Sequence, residues 1–74
     1  MSRLPSVTPR QMVRVLLRAG FVEHHQRGSH IYFWHESRKR MTSVSMHAKD
    51  LKKGTLHVIL KQAGFSEEEF RELT

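Results

Sequence analysis

The stretch HIYFWH, residues 30–35, decides the fold predicted for this chain. Its four central residues are β-branched or aromatic, and these residue types favour strands. Side chains alternate between the two faces of a strand, so residues 31, 33 and 35 share one face and residues 30, 32 and 34 share the other. We therefore predict a strand over His30–His35.

Polar turns flank that strand, and a further strand is predicted beyond each turn. Arg27-Gly28-Ser29 is predicted as the turn that follows a first strand over Phe21–Gln26. On the other side, Glu36–Arg40 is a charged hairpin loop that leads into a third strand over Met41–His47. Connections this short join antiparallel strands, because a parallel crossover needs a dozen or more residues. The three strands should form an antiparallel meander.

A helix is predicted before the strands. Thr8 is the N-cap candidate, Pro9 occupies the first helical position, and Gln11 completes a capping box. An apolar stripe at helical spacing is expected to face the core and to end at a glycine; its members are Val13, Leu16, Leu17 and Gly20.

Two further helices close the chain. The stripe of the first consists of Leu56, Ile59, Leu60 and Ala63. Gly64 should end that helix, and Ser66 with Glu69 should form a second capping box for the last one. The predicted fold is therefore α+β, a single domain over residues 1–74. Its order is αβββα plus a short C-terminal helix, with the helices on one face of a three-stranded antiparallel sheet.

The charge of the chain favours a polyanionic partner. Thirteen Lys and Arg residues against seven Asp and Glu give a net charge of +6. Four of the acids and one base lie in residues 65–74, which leaves twelve bases and three acids, a net of +9, in the first 64. Such an excess attracts nucleic acid at long range.

Other features limit the protein class. The chain has no cysteine, which excludes disulfides and thiol catalysis. It contains no apolar run near the roughly 20 residues that a membrane span needs, and no signal peptide is evident at its start. We expect a soluble cytoplasmic protein without a membrane partner.

The open face of the sheet is the expected RNA surface. If the helices cover the Ile31/Phe33 side, the other side presents His30, Tyr32 and Trp34. Unstacked RNA bases gain roughly 1–3 kcal/mol each by stacking on aromatic rings. The alternation alone also allows the reverse assignment of faces, and it allows both rings to be simply packed.

Histidine is the residue type left for catalysis. The sequence shows no Ser-His-Asp triad and no glycine-rich phosphate loop. The basic part holds only Glu23, Glu36 and Asp50, too few carboxylates for a two-metal nuclease. Histidine transfers protons near neutrality, and RNA supplies its own nucleophile, the 2′-hydroxyl. Such a site requires no cofactor.

The six histidines do not predict a metal site. His24 and His25 are adjacent in the first strand, so they should point to opposite faces and not chelate together. No pair has the i, i+4 helical spacing of zinc-protease sites.

Six motifs in order give the chain a resemblance to the HicA toxins of bacterial toxin–antitoxin modules. They are LP-x-VT from Leu4, Ala19–Phe21, Gly28–His30, Val44–His47, Leu51–Thr55 and Ile59–Gly64. The resemblance implies a fold similar to the double-stranded RNA-binding domain and an mRNA interferase activity. It also implies a HicB-type antitoxin as partner and His30 as the catalytic residue. Many members have proline where this chain has Ser45, which makes the alignment of His47 less secure.

The resulting prediction is a metal-independent endoribonuclease with His30 as general base. The expected RNA-binding residues are Arg27, Gly28, Ser29, Tyr32, Trp34, His47, Lys52 and Lys53. The general acid is not assigned, and His47 is one candidate. A non-catalytic RNA-binding module and a pure protein-interaction module are the alternatives.

Overall fold

In the computed structural model, which describes residues 6–74, the chain forms an α+β fold of the predicted order. The elements are α1 (Pro9–Arg18), β1 (Val22–Arg27), β2 (His30–His35), β3 (Arg40–Ser45), α2 (Lys53–Ala63) and α3 (Glu67–Leu73). Leu4 and Pro5 of the first motif lie outside the described residues. No helix within residues 6–74 is long and apolar enough to cross a membrane.

The sheet is a three-stranded antiparallel meander with β2 at its centre. The predicted bounds of β2 are confirmed, whereas β3 begins and ends earlier than expected. β1 begins and ends one residue later, so Arg27 belongs to the strand and not to the predicted turn, because it pairs with His30 across the hairpin. Phe21 does not open β1 because its N–H completes the end of α1 by donating to the Leu16 carbonyl. β3 ends before His47, in a turn that follows Ser45.

The core lies between the helices and one face of the sheet. Phe33 of β2 and Val44 of β3 are fully buried there, and Ile31 packs against the same cluster. The helices thus cover the Ile31/Phe33 side, as predicted, and the opposite face is open. The fold is consistent with a double-stranded RNA-binding-domain-like arrangement.

The ends of α1 agree with the prediction, but its buried stripe is rotated. Thr8 and Gln11 form the reciprocal capping box. The buried residues are Pro9, Met12, Val15 and Leu16, whereas Leu17 is 52% exposed. The expectation that Leu17 faces the core is therefore wrong. The buried stripe runs through Pro9, Met12 and Leu16 and not through Val13 and Leu17, a shift of one residue, and each residue turns the helix by about 100°.

α2 ends where the sequence predicts, whereas only half of the capping box predicted for α3 forms. α2 ends as predicted at Gly64, whose φ of 77° is the left-handed conformation that glycine adopts readily. Ser66 caps α3 by accepting a hydrogen bond from the Glu69 N–H. The Glu69 carboxylate binds Arg38 of the β2–β3 loop instead of completing the predicted capping box.

Candidate functional site

Three cross-strand rows make up the open face of the sheet. Each takes one residue from β1, one from β2 and one from β3, and we name each row by its β2 residue. The His30 row is Arg27–His30–Ser45, the Tyr32 row is His25–Tyr32–Ser43, and the Trp34 row is Val22–Trp34–Met41.

The His30 row combines an imidazole with a cation from the neighbouring strand. His30 is exposed, and its ring makes no hydrogen bond or ion pair in the described part of the chain. Arg27, also exposed, pairs with it across β1, and the half-buried Ser45 pairs with it across β3. Paired side chains on neighbouring strands start about 5 Å apart. A phosphate over this row can therefore meet the guanidinium and the imidazole together.

The turn beside His30 leaves its backbone accessible. Gly28 has a φ of 59°, at the position where a two-residue type II′ hairpin turn requires glycine. Apart from Gly28 and its two chain neighbours, no described residue has an atom within 4 Å of where a Gly28 Cβ would be, so the space beside the turn is open. The Ser29 carbonyl accepts from the Met46 N–H at 2.8 Å. That bond holds the segment carrying the exposed His47 next to the turn.

The Tyr32 row contains a preformed ring stack. The His25 ring lies parallel to the Tyr32 ring, with 4.5 Å between centroids and 11° between planes. On the other side, the β3 neighbour of Tyr32 is the small Ser43. One face of the Tyr32 ring is thus covered by His25, whereas its neighbour on the β3 side has only a small side chain.

The Trp34 row forms the apolar end of the open face. Val22 and Met41 are exposed on either side of the half-buried Trp34. Trp34 Nε1 donates to the Glu36 carboxylate at 2.9 Å. Hydrogen bonds from Lys39 and then from Trp34 hold the pKa of Glu36 below its usual value of 4.5. The open face therefore runs from a basic end at His30 to an apolar end at Trp34.

The comparison with protein families agrees with this geometry. A family model described as the HicA toxin of bacterial toxin-antitoxin matches residues 9–65, which is more than half of the chain. The chain belongs to the HicA toxin family. The matched range includes all three rows of the open face, and the family's toxins are generally ribonucleases that pair with an antitoxin. No curated protein matches the chain.

One histidine pair of this HicA toxin departs from the sequence prediction. A β-bulge interrupts β1 between Glu23 and His25, so side chains no longer alternate there. The Nδ1 atoms of His24 and His25 lie 2.7 Å apart, with ring centroids separated by 5.0 Å. The expectation that these rings point to opposite faces is wrong. Strict alternation gave no signal for the bulge.

The two predicted lysines lie apart from the open face. Lys52 is the N-cap residue of α2 and Lys53 is its first residue, and both side chains are exposed. They belong to the helix layer, whereas all the other predicted RNA-binding residues lie in the open-face rows, in the Gly28-Ser29 turn or just after β3. The structure therefore does not bring Lys52 and Lys53 together with the other predicted RNA-binding residues.

His35 of the toxin has a structural role that its position at a strand end did not reveal. Its Nδ1 accepts from the Arg38 N–H at 3.1 Å, so Nε2 carries the proton and donates to the Ala19 carbonyl at 2.9 Å. The Phe21 ring packs edge-on against it at 5.0 Å. Both ring nitrogens of His35 are engaged, which removes it from the candidates for proton transfer.

Proposed function

We propose that this HicA toxin is a metal-independent endoribonuclease that cleaves mRNA with His30 as general base. The observation that supports this most directly is the His30 row. It places an exposed imidazole with unengaged nitrogens beside Arg27 and an open glycine turn. An mRNA substrate would place the reaction in the cytoplasm.

In the proposed reaction, His30 removes the proton from a ribose 2′-hydroxyl. The 2′-oxygen then attacks the adjacent phosphorus, and a 2′-O–P bond forms as the bond from phosphorus to the 5′-oxygen breaks. The products are a 2′,3′-cyclic phosphate and a 5′-hydroxyl end. The leaving 5′-oxygen takes a proton from an acid, for which the exposed His47 beside the turn is the candidate within the protein.

The neighbouring residues would hold the RNA. Arg27 binds the phosphate next to the scissile bond, and Gly28 and Ser29 bring backbone N–H groups close to it. On the aromatic rows, a base stacks on the Ser43 side of Tyr32 and another contacts Trp34. Lys52 and Lys53 bind phosphates farther along the strand.

The distribution of carboxylates supports a mechanism without a catalytic metal. Two-metal nucleases hold their cations with several carboxylates. Glu36 is already engaged by Lys39 and Trp34, and no group of three or more His, Asp or Glu side chains converges anywhere in residues 6–74. A histidine acting on the 2′-hydroxyl needs no such group.

We further propose that the antitoxin partner is of the HicB type and neutralises the toxin by covering the open face. That face carries the His30 row and also the exposed Val22 and Met41, which a protein partner can bury. Charge also favours an acidic partner, because the chain carries a net charge of +6.

The test uses purified toxin, a long single-stranded RNA and EDTA, with wild type, His30→Ala and the control His57→Ala. His57 is exposed on α2, away from the open face. We expect cleavage by wild type and His57→Ala, and cleavage slower by roughly 10²–10⁴-fold in His30→Ala, with RNA binding kept by all three. RNA binding without cleavage by any of them would show an RNA-binding module and overturn the enzyme proposal. Cleavage lost in EDTA and restored by Mg²⁺ would overturn its metal independence.

A further inference from the structure

The bulge in β1 brings two imidazole nitrogens together at the edge of the open face. The Nδ1 atoms of His24 and His25 are 2.7 Å apart, which is a hydrogen-bond distance, so a proton lies between the two nitrogens. Both residues are exposed, and in the described part of the chain neither ring has a carboxylate partner. A metal ion that replaces this proton would therefore find two nitrogen ligands already close together.

Ring packing holds half of this pair in place. His25 stacks on Tyr32 at 4.5 Å with 11° between the planes, while His24 meets His25 edge-on with 74° between the planes. The stack limits rotation of the His25 ring, and the bulge fixes the relative positions of the two Cα atoms. Ligands held in this way lose less conformational freedom when they bind an ion than free side chains do.

The separation of the two nitrogens selects a class of metal. With metal–nitrogen bonds of about 2.0 Å, two nitrogens lie about 2.8 Å apart at a right angle and about 3.3 Å apart at a tetrahedral angle. The observed 2.7 Å fits the right angle of a tetragonal site. Cu²⁺ and Ni²⁺ prefer that geometry, and Cu²⁺ binds nitrogen ligands most tightly among the divalent first-row metals.

We propose that the Nδ1 atoms of His24 and His25 chelate a tetragonal transition-metal ion, with Cu²⁺ the preferred ion. Water completes the coordination, because no third His, Asp or Glu side chain of residues 6–74 converges on the pair. The site is separate from the proposed reaction at His30 and does not depend on it. The bound ion lies next to the Tyr32 row, one row from Trp34, the only tryptophan of the chain.

The test is a titration of Cu²⁺ into the full chain in a non-coordinating buffer, followed by calorimetry and by quenching of Trp34 fluorescence. The variants are His24→Ala and His25→Ala, with His57→Ala as the matched histidine deletion. We expect one ion per wild-type chain, affinity at least tenfold lower in each pair variant, and unchanged affinity in His57→Ala. Zn²⁺ should bind more weakly than Cu²⁺.

A second measurement separates loss of ligands from loss of fold. Thermal melts of all four proteins should agree within a few degrees, because His24 and His25 are exposed. Electron paramagnetic resonance of the copper-loaded wild type should show a tetragonal signal with nitrogen coupling. No copper binding by wild type, or equal affinity in wild type and both pair variants, would overturn the site. Tighter binding of Zn²⁺ than of Cu²⁺ would overturn the tetragonal geometry.

Discussion

β2 begins and ends with a histidine, and the two histidine rings differ in their exposure and in their hydrogen bonds. His30 and His35 are five residues apart, so the alternation of the strand places them on opposite faces of the sheet. The His30 ring is exposed and has no hydrogen-bond partner in the described chain. The His35 ring joins the Ala19 carbonyl to the Arg38 N–H and packs against Phe21.

This difference shows that the partners of a histidine decide its role. A general base needs a nitrogen lone pair that can reach the substrate. His35 has no such lone pair, because its Nδ1 accepts from a backbone N–H and its Nε2 carries a proton that is donated. Gly20, which follows Ala19, also makes room for the His35 ring because it has no side chain. A Cβ at this position would lie only 2.9 Å from His35 Nε2, which is too close. His35 therefore connects α1 to the β2–β3 loop, whereas His30 is available for chemistry.

The largest expected effect is on cleavage at the His30 end. His30→Ala should lower the rate of RNA cleavage by roughly 10²–10⁴-fold, the usual contribution of a general base. Its free energy of unfolding should change by less than about 0.5 kcal/mol, because the side chain is exposed. Initial rates and urea melts measure the two quantities. A His30→Ala protein that unfolds more easily but cleaves at the wild-type rate would show that His30 has a structural role and not a catalytic one.

The next effect is on stability at the His35 end. His35→Ala should lower the free energy of unfolding by about 1–3 kcal/mol, because it leaves the half-buried Ala19 carbonyl and the Arg38 N–H without their ring partner. The folded fraction should still cleave RNA at nearly the wild-type rate. Urea melts at neutral pH, with His57→Ala as the exposed control, measure the change. Equal stability of His35→Ala and His57→Ala would contradict the structural role of His35.

A smaller stability effect is expected for the loop that His35 holds. The Arg38 side chain binds the Glu69 carboxylate, donates to the Gly64 carbonyl at 3.2 Å and lies 5.1 Å above the centre of the Phe65 ring. Arg38→Ala should cost about 1–2 kcal/mol from the lost hydrogen bonds and cation–π contact.

Lys39→Ala is the matched control for Arg38→Ala, since Lys39 is the next residue and also makes an ion pair. Its side chain and that of Glu36 are 67% and 76% exposed, against 29% and 33% for Arg38 and Glu69. Exposed pairs contribute little, so Lys39→Ala should cost less than about 0.5 kcal/mol. A larger loss in Lys39→Ala than in Arg38→Ala would contradict the anchoring of this loop by Arg38.

The smallest expected effect is a change in the fluorescence of Trp34, the neighbour of His35, at acid pH. Glu36 has a lowered pKa in the folded protein, because it accepts hydrogen bonds from Lys39 and from Trp34. Those bonds are present above pH 4.5 and are lost as the pH falls through the lower folded pKa. Trp34 emission should therefore change with a midpoint below pH 4.5, and Glu36→Gln should remove the transition. A midpoint at or above 4.5 would contradict the arrangement.

Features set by local sequence could be predicted, and those set by distant contacts could not. The strand over His30–His35, the glycine turn and the Thr8 cap depend on neighbouring residues, and the structure agrees with them. The bulge at His24 depends on how β1 pairs with β2, which the alternation of a single strand does not specify. Likewise, Glu69 binds Arg38, 31 residues away, and no local motif shows that pairing.

The candidate site also has features that the local sequence predicts and features that depend on distant contacts. The alternation of β2 was enough to group His30, Tyr32 and Trp34 on one face, and the helices do cover the other face. The neighbours of these residues came only from the sheet register, which pairs Arg27 with His30 and sets His25 against Tyr32. The assignment of His30 as the catalytic base came from the family resemblance together with the scarcity of other catalytic groups, and it stays a prediction.

The most direct test of the central claim compares two oligonucleotides of the same sequence, one all-ribose and one with 2′-deoxyribose at every position. Wild-type toxin in EDTA should cleave only the ribose strand and should leave 2′,3′-cyclic phosphate and 5′-hydroxyl ends, because His30 acts on the 2′-hydroxyl. Mass spectrometry of the products gives both results at once. Cleavage of the deoxyribose strand, or 5′-phosphate ends from the ribose strand, would contradict the proposed chemistry.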